Sequence, residues 1–164
     1  MRALVTGGAG FIGSTLVDRL LAEGHAVDVV DNLSSGKLSN LAEARADRDH
    51  DLTIHQIDIR DAGVTELIER RKPNVVFHLA AQADVRVSVN DPVLDAQINV
   101  IGAINVLEGA RRASAQKVVF ASSGGTIYGE PDVSALPVDE TQPLRPQSPY
   151  GITKRVFTDY LAAY

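Results

Sequence analysis

Tyr150 and Lys154 stand four residues apart near the end of the chain, a spacing that puts both on one face of a helix. An ammonium beside a phenol lowers the phenol's pKa, so such a pair can act as a general base near neutral pH. The spacing equally describes an ordinary surface tyrosine and lysine, and alone it decides nothing. Hydroxyls precede the pair in Ser122-Ser123-Gly124-Gly125-Thr126-Ile127-Tyr128, directly after the apolar run Val118-Val119-Phe120-Ala121.

A second constellation opens the chain. Thr6-Gly7-Gly8-Ala9-Gly10-Phe11-Ile12-Gly13 follows Ala3-Leu4-Val5 and leads into Ser14-Thr15-Leu16-Val17-Asp18-Arg19-Leu20-Leu21. A buried strand, a glycine turn and an amphipathic helix are the context in which glycines bind the pyrophosphate of a dinucleotide. Glycines let the backbone turn sharply and approach the ligand, and the helix N-terminus offers unpaired N–H groups and positive dipole. Gly8, Gly10 and Gly13 fit one template, and Gly7, Gly10 and Gly13 fit a variant of it. Gly7, Gly10, Phe11, Ile12 and Gly13 are the expected contacts.

The next apolar run, Ala26-Val27-Asp28-Val29-Val30, closes on Asp31, about where the ribose-binding acid is expected. Asp31 would accept from both ribose hydroxyls and repel a 2′-phosphate, which favours NAD over NADP; a capping or loop aspartate is the alternative. Asn32, Leu33, Ser34, Ser35 and Gly36 read as the loop that wraps the adenosine end.

Alternating strands and helices must position these groups. Phe11, Ile12, Leu16, Val17, Leu20 and Leu21 recur at helical spacing, and Glu23-Gly24-His25 supplies a stop. Glu43 to Asp51 is a charged connection with a short helix near Leu41. Residues 52–58 alternate as a third strand before a helix from Val64 to Arg71. Asp58 either reads the adenine amino group, with Ile59 on the ring, or caps that helix. Residues 75–82 read as a fourth strand running into a turn where Leu79, Ala80, Ala81 and Gln82 let a cofactor pass; His78 reads as a hydrogen-bonded core histidine.

A long apolar pattern from Pro92 to Arg112 predicts the longest helix. Asn99 on it needs a partner if buried, either backbone near the site or an ordinary core or surface neighbour. Lys117 to Ala121 is the fifth strand, and Ser123 and Thr126 fall on its ligand side. A stretch through Pro131, Pro137, Pro143 and Pro146 bridges to a final helix opened by Ser148-Pro149. The alternation gives an α/β fold with a doubly wound parallel sheet, the Rossmann fold.

The chain's 164 residues, 45% hydrophobic and 23% charged, suit one globular domain with a real core. Without cysteine it holds no disulfide or thiolate metal site. A formal net charge of -5 argues against nucleic-acid binding, and no apolar run reaches membrane-spanning length. Arg70-Arg71-Lys72 and Arg111-Arg112 sit near helix ends, where dipole and solvation explain them.

Taken together, the glycine turn, Asp31-Asn32-Leu33, Asp58-Ile59, His78-Leu79-Ala80-Ala81-Gln82, Ser122-Ser123 and Tyr150-Gly151-Ile152-Thr153-Lys154 are similar to the extended short-chain dehydrogenase/reductases. The chain most resembles the bacterial UDP-glucose 4-epimerases among them. The resemblance implies NAD held tightly and regenerated each cycle, and a 4-keto sugar that turns over in the site. By it Tyr150 takes the proton of the sugar's 4-hydroxyl, and Lys154 lowers the tyrosine pKa and holds the nicotinamide ribose. It gives Ser123 the hydrogen bond to the sugar oxygen, with Thr126 the alternative, because Gly124 stands where many such epimerases have a third serine.

The same resemblance implies a cytoplasmic enzyme of galactose metabolism and a homodimer through a four-helix bundle of the helices after Pro92 and through Tyr150. Relatives continue into a C-terminal substrate domain, so residues 1–164 are expected to be the NAD-binding part, truncated before that domain and nearly inactive alone. Sugar-nucleotide 4,6-dehydratases carry an Asp-Glu pair where this chain has Gly125-Thr126-Ile127, which weakens that alternative. A uronate-type epimerase or decarboxylase, and a non-catalytic dinucleotide-binding module, are the others.

Overall fold

Five short apolar runs become strands because flat, β-branched stretches bounded by glycine or polar turns can be buried on both faces of a parallel sheet. In a computed structural model, which describes residues 1–133 and 136–164, these are β1 (Arg2–Thr6), β2 (Ala26–Asp31), β3 (Leu52–Gln56), β4 (Val75–His78) and β5 (Lys117–Phe120). All pair in parallel, in the order β3-β2-β1-β4-β5. The winding reverses between β1 and β4, which makes the carboxyl ends of those two strands the switch point where such sheets bind ligands.

The helices are α1 (Phe11–Ala22), α2 (Ala42–Ala46), α3 (Gly63–Arg71), α4 (Val85–Asn90), α5 (Pro92–Ala96), α6 (Ala103–Arg112), α7 (Gly124–Ile127) and α8 (Pro149–Ala163). A 3-10 turn over Leu38–Leu41 precedes α2, and a π-helical turn over Gln97–Gly102 precedes α6. Two compact units result. The first, residues 1–81 and 102–121, holds the whole sheet with α1, α2, α3 and α6; the second, residues 82–101 and 122–164, holds α4, α5, α7 and α8.

In the first unit Ala3, Val5, Val17, Leu20, Leu21, Val27, Val29 and Leu41 form the core. Burying each Val or Leu side chain contributes about 1.5–3 kcal/mol. Gly109 lets α6 lie against α3, since a Cβ there would come within 2.8 Å of Ile68 Cβ. Asp28 is a buried exception on β2; it takes Arg2 Nη1 at 3.1 Å and His55 Nε2 at 2.9 Å. Arg71 Nε lies 2.7 Å from its Oδ1 as a charge contact. Arg71 is therefore drawn inward to a buried carboxylate rather than serving only the helix end, whereas Arg111 and Arg112 both grip Glu108 on α6.

Several boundaries differ from the expectation. Strands β3 and β4 stop at Gln56 and His78 because their last partners, Asp31 and Thr6, end the neighbouring strands. Phe11 and Ile12 are 91% and 67% exposed, so the large apolar side chains that α1 buries are Val17, Leu20 and Leu21. The segment expected as one long helix comprises α5, the π turn and α6, a distinction the apolar pattern does not carry because both helix types keep an apolar face. Helix α4 was hidden by its valines, which favour strands. Its signal was Asp84, whose carboxylate accepts the N–H groups of Arg86 and Val87 as an N-cap.

Candidate functional site

In the first unit β1 ends where Gly7 turns the chain with φ +70°, a conformation that costs a residue with a Cβ. A Cβ at Gly7 would also lie 2.7 Å from Ala80 N, and one at Gly13 would collide with the Gly7 carbonyl. Gly8 is closed by Val29 Cγ1 at 2.9 Å, so both glycine templates describe one crowded turn. Gly10 caps α1 without a side-chain acceptor, and the first turn of the helix has no acidic residue. Its first N–H groups are therefore available to an anion, with the helix dipole behind them.

Thr6 was not singled out in the sequence, yet it fastens the switch point. Its Oγ1 accepts the N–H groups of Leu79 and Ala80, both at 3.2 Å, and lies 2.7 Å from His78 Nδ1. A hydroxyl has two acceptor sites and one proton, so the proton goes to Nδ1, which makes Nδ1 the acceptor of the ring. His78 is 2% exposed and stacks on Phe120 at 5.9 Å between centroids. It is a core histidine, as its apolar neighbours predicted.

Asp31 is 8% exposed at the end of β2. Its Oδ2 accepts Ala9 N at 3.0 Å and its Oδ1 accepts Leu33 N at 2.8 Å, tying the glycine turn to the loop that follows. A carboxylate has about four acceptor sites, so two remain for hydroxyls. Gly36 comes against it: a Cβ there would lie 2.9 Å from Asp31 Oδ2. Lys37 N and Asn40 Nδ2 both donate to the Ala9 carbonyl, at 3.0 and 2.8 Å, which folds residues 32–37 over the turn. Ser34 N bonds Asn32 Oδ1 within that loop, and Ser35 is exposed.

Asp58 accepts from Arg60 N, Nε and Nη2 and from Asn32 Nδ2 at 2.8 Å. Its hydrogen bonds to the Arg60 guanidinium hold the carboxyl well below the usual range, against a smaller opposing effect of burial. It does not cap α3, whose N-cap is Ala62. Ile59 is buried, with its Cγ1 and Cδ1 against Gly102, so its side chain faces inward.

In the second unit the buried Asn99 lies in the π turn and holds the backbone of Gln82 at both ends. Its Oδ1 accepts Gln82 N at 2.9 Å, and its Nδ2 donates to the Gln82 carbonyl at 2.9 Å. Of the partners the sequence left open, both kinds are found, the Gln82 backbone and the core side chains of Asp95 and Thr153. A π turn often marks a functional position. Asp95, fully buried one turn earlier, carried no signal beyond being a charged residue in an apolar pattern. Its Oδ1 accepts Gln82 Nε2 at 2.9 Å and Asn99 Nδ2 at 3.0 Å, and its Oδ2 accepts Thr153 Oγ1 at 2.8 Å.

Helix α8 begins at Ser148, whose Oγ accepts Gly151 N, with Pro149 in its first turn. Lys154 is 4% exposed, and its Nζ stands 5.7 Å from the centroid of the Tyr150 ring, within cation–π range. Burial pulls the Lys154 ammonium down to about 8, with Asp95 acting in the opposite sense. Ser123 is half-buried and caps α7 without a side-chain bond to it; the Thr126 hydroxyl turns back toward the Ser123 carbonyl at 3.4 Å. The second unit thus brings Gln82, Asn99, Tyr150 and Lys154 into one network, while Gly7, Gly10, Gly13, Asp31, Asp58, Leu79, Ala80 and Ala81 belong to the first. Among the described residues no helix is long and apolar enough to cross a membrane, and no group of three His, Asp or Glu could hold a metal ion.

The family model described as GDP-mannose 4,6 dehydratase matches residues 4–164. A UDP-glucose 4-epimerase of Mycolicibacterium smegmatis is 50% identical over 164 residues, which is 100% of this chain and 51% of that protein. The crystal structure of a Thermus thermophilus UDP-glucose 4-epimerase complexed with NAD superposes with a TM-score of 0.90 at 47% identity, covering 100% of this chain and 50% of that one. A Thermotoga maritima UDP-glucose 4-epimerase with UDP-glucose gives 0.90 at 44% identity, over 99% and 50%. The chain spans about half the length of the curated relatives it matches.

Proposed function

We propose, for a chain that belongs to the GDP-mannose 4,6 dehydratase family, that residues 1–164 form the NAD-binding Rossmann domain, with the Tyr-x-x-x-Lys helix, of a nucleotide-sugar 4-epimerase. The reaction is the interconversion of UDP-glucose and UDP-galactose through a 4-keto sugar. The observation that carries this reading is a buried Lys154 beside the ring of Tyr150, in a chain half identical to a UDP-glucose 4-epimerase.

The residues fit NAD. A Cβ at Gly7 or Gly13 would strike the backbone of Ala80 or of Gly7 and open the tight turn, one at Gly36 would strike Asp31, and the uncapped start of α1 suits a pyrophosphate. Gly7, Gly10, Phe11, Ile12 and Gly13 would hold the phosphates, and Asp31 the adenosine ribose. Residues 32–36 with Asp58 and Ile59 would line the adenine end, and Leu79, Ala80, Ala81, Gln82 and Asn99 the path to the nicotinamide. When bound, NAD supplies the hydride acceptor and donor of the reaction.

The chain's own groups do the proton chemistry. Tyr150 takes the proton from the sugar's 4-hydroxyl and gives it back after the sugar turns. Lys154 favours a negative oxygen on Tyr150 by its charge and holds the nicotinamide ribose. Ser123 donates to the sugar oxygen, its hydroxyl being unused by the helix it caps. No acid stands among Gly124, Gly125, Thr126 and Ile127, so elimination of water, as in a 4,6-dehydratase, has no proton donor in that segment.

The enzyme is cytoplasmic and works as a homodimer through a four-helix bundle. Val93, Ile101, Ile152 and Tyr160 support the dimer, being 65%, 54%, 49% and 40% exposed, more apolar surface than these helices need alone. Calorimetric titration with NAD and NADP tests the core of the reading. Saturable NAD binding with much weaker NADP is expected. A folded chain that binds neither overturns it. Tyr150→Phe in the longer enzyme should abolish turnover and keep NAD; unchanged turnover would remove Tyr150 from the chemistry.

A further inference from the structure

The carboxylate of Asp95 gathers more partners than any surface contact requires. It is fully buried, and three side chains from three segments meet on it: Gln82 before α4, Asn99 in the π turn and Thr153 on α8. Thr153 lies next to Lys154 in sequence, and its single hydroxyl proton has two acceptors in reach, Asp95 Oδ2 at 2.8 Å and the Tyr150 carbonyl at 3.0 Å. The shorter bond is to the carboxylate, where charge strengthens it.

We propose that Asp95 is the positioning residue of the Tyr150–Lys154 pair: it holds α8 through Thr153, and its negative charge keeps the Lys154 ammonium inside the fold. The inference rests on the reading of Tyr150 and Lys154 as the reactive pair. A buried ammonium loses its hydration, and a nearby anion makes up part of that loss. Asp95 is the charge that opposes the effect of burial on Lys154. Among the described residues the Tyr150 ring, on the same helix, also lies beside Lys154. Of the remaining charged groups on elements packed against α8, Asp84 and Arg86 pair with each other at the exposed start of α4, and Asp91 caps α5. Helix α7 carries no titratable residue.

Asp95 therefore does two things that one substitution can separate. Asp95→Asn keeps the shape and removes the charge; Thr153→Val keeps the charge and removes the bond to α8. In the 164-residue chain, the carbon-13 signal of the Lys154 ε-methylene, assigned by its loss in Lys154→Met, reports the ammonium directly.

The wild-type midpoint is expected near 8, and Asp95→Asn should lower it by about one unit or more. Thr153→Val should move it less. A folded Asp95→Asn with an unmoved midpoint overturns the proposal. Should Asp95→Asn fail to fold, Thr153→Val still decides: without the bond to Asp95 the amide hydrogen exchange of α8 should quicken by at least about tenfold, and unchanged exchange overturns the proposal equally. Indifference of turnover to Tyr150→Phe would sink the catalytic reading, and leave the coupling of Asp95 to Lys154 standing or falling on the titration alone.

Discussion

Ser88 Oγ accepts the backbone N–H of Tyr150 at 3.1 Å while donating to the Val85 carbonyl at 2.7 Å. The first N–H groups of a helix have no partner within it, so a buried hydroxyl on α4 completes the start of α8 where Tyr150 sits. Ser88 is itself fully buried.

Ser88→Ala should therefore cost about 1–3 kcal/mol, the penalty for leaving a buried donor unpaired. Urea unfolding of the two chains checks it. A loss below about 0.5 kcal/mol would mean that water replaces the hydroxyl.

Two glycines share a left-handed backbone and differ in their surroundings. Gly7 and Gly24 have φ of +70° and +76°, but a Cβ at Gly24 meets nothing within 4 Å, whereas one at Gly7 meets Ala80 N at 2.7 Å. Gly24→Ala should cost only the conformational strain, about 1–2 kcal/mol, and spare NAD binding. Gly7→Ala should cost more and weaken NAD by at least about tenfold, because Ala80 must move away from the cradle. Thermal melts with NAD titration separate the two, and equal losses at both sites would contradict the crowding argument.

Asp31→Asn exchanges an acceptor-only group for one with a donor side. Both oxygens of Asp31 now accept backbone N–H groups, so one bond must be lost, at about 1–2 kcal/mol. The charge that would repel a 2′-phosphate goes too. Calorimetry should show weaker NAD binding and a narrowed gap to NADP; an unchanged ratio would assign the selectivity to other residues.

Gly124 and Gly125 have open space where a Cβ would stand. Gly124→Ser should leave the melting temperature unchanged or raise stability by under about 1 kcal/mol, since glycine in a helix is the less favourable residue. A clear drop would show that the space is needed.

Lys154 makes stability depend on pH in the alkaline range. Its folded value, about 8, lies below the ordinary 10.5. The unfolded chain therefore binds more protons between those values, and stability rises with pH across that window. Below about pH 8 the penalty for holding a desolvated ammonium is fully present; above 10.5 it is gone. Between about pH 7.5 and about pH 9.5 the gain is about 2 kcal/mol. Unfolding of wild type and Lys154→Met at both pH values isolates it: the difference between them should shift in favour of wild type by that amount. No shift would mean that Lys154 is solvated in the native chain.

The features legible in the sequence were those whose demands are local. A glycine turn needs φ > 0 and close backbone approach within a few residues of its start, so Gly7, Gly10 and Gly13 announce themselves by spacing. An acid closing an apolar run marks the end of β2, and Ser148-Pro149 marks the start of α8. Apolar periodicity likewise located the five strands, because burial on two faces is written into the residues of each run.

What only the tertiary structure decided is which polar groups meet across the chain. Thr6 reaches His78 over 72 residues, Ser88 reaches Tyr150 over 62, and Asp95 reaches Thr153 over 58. A buried hydroxyl or carboxylate must be satisfied by some partner, but nothing in its own neighbourhood says which. Spacing therefore put Tyr150 and Lys154 on one helical face and by itself said nothing of their chemistry. The burial of Lys154, the π turn under Asn99 and the carboxylate that joins Gln82, Asn99 and Thr153 came from packing, because desolvation and hydrogen-bond geometry exist only once distant segments have closed on one another.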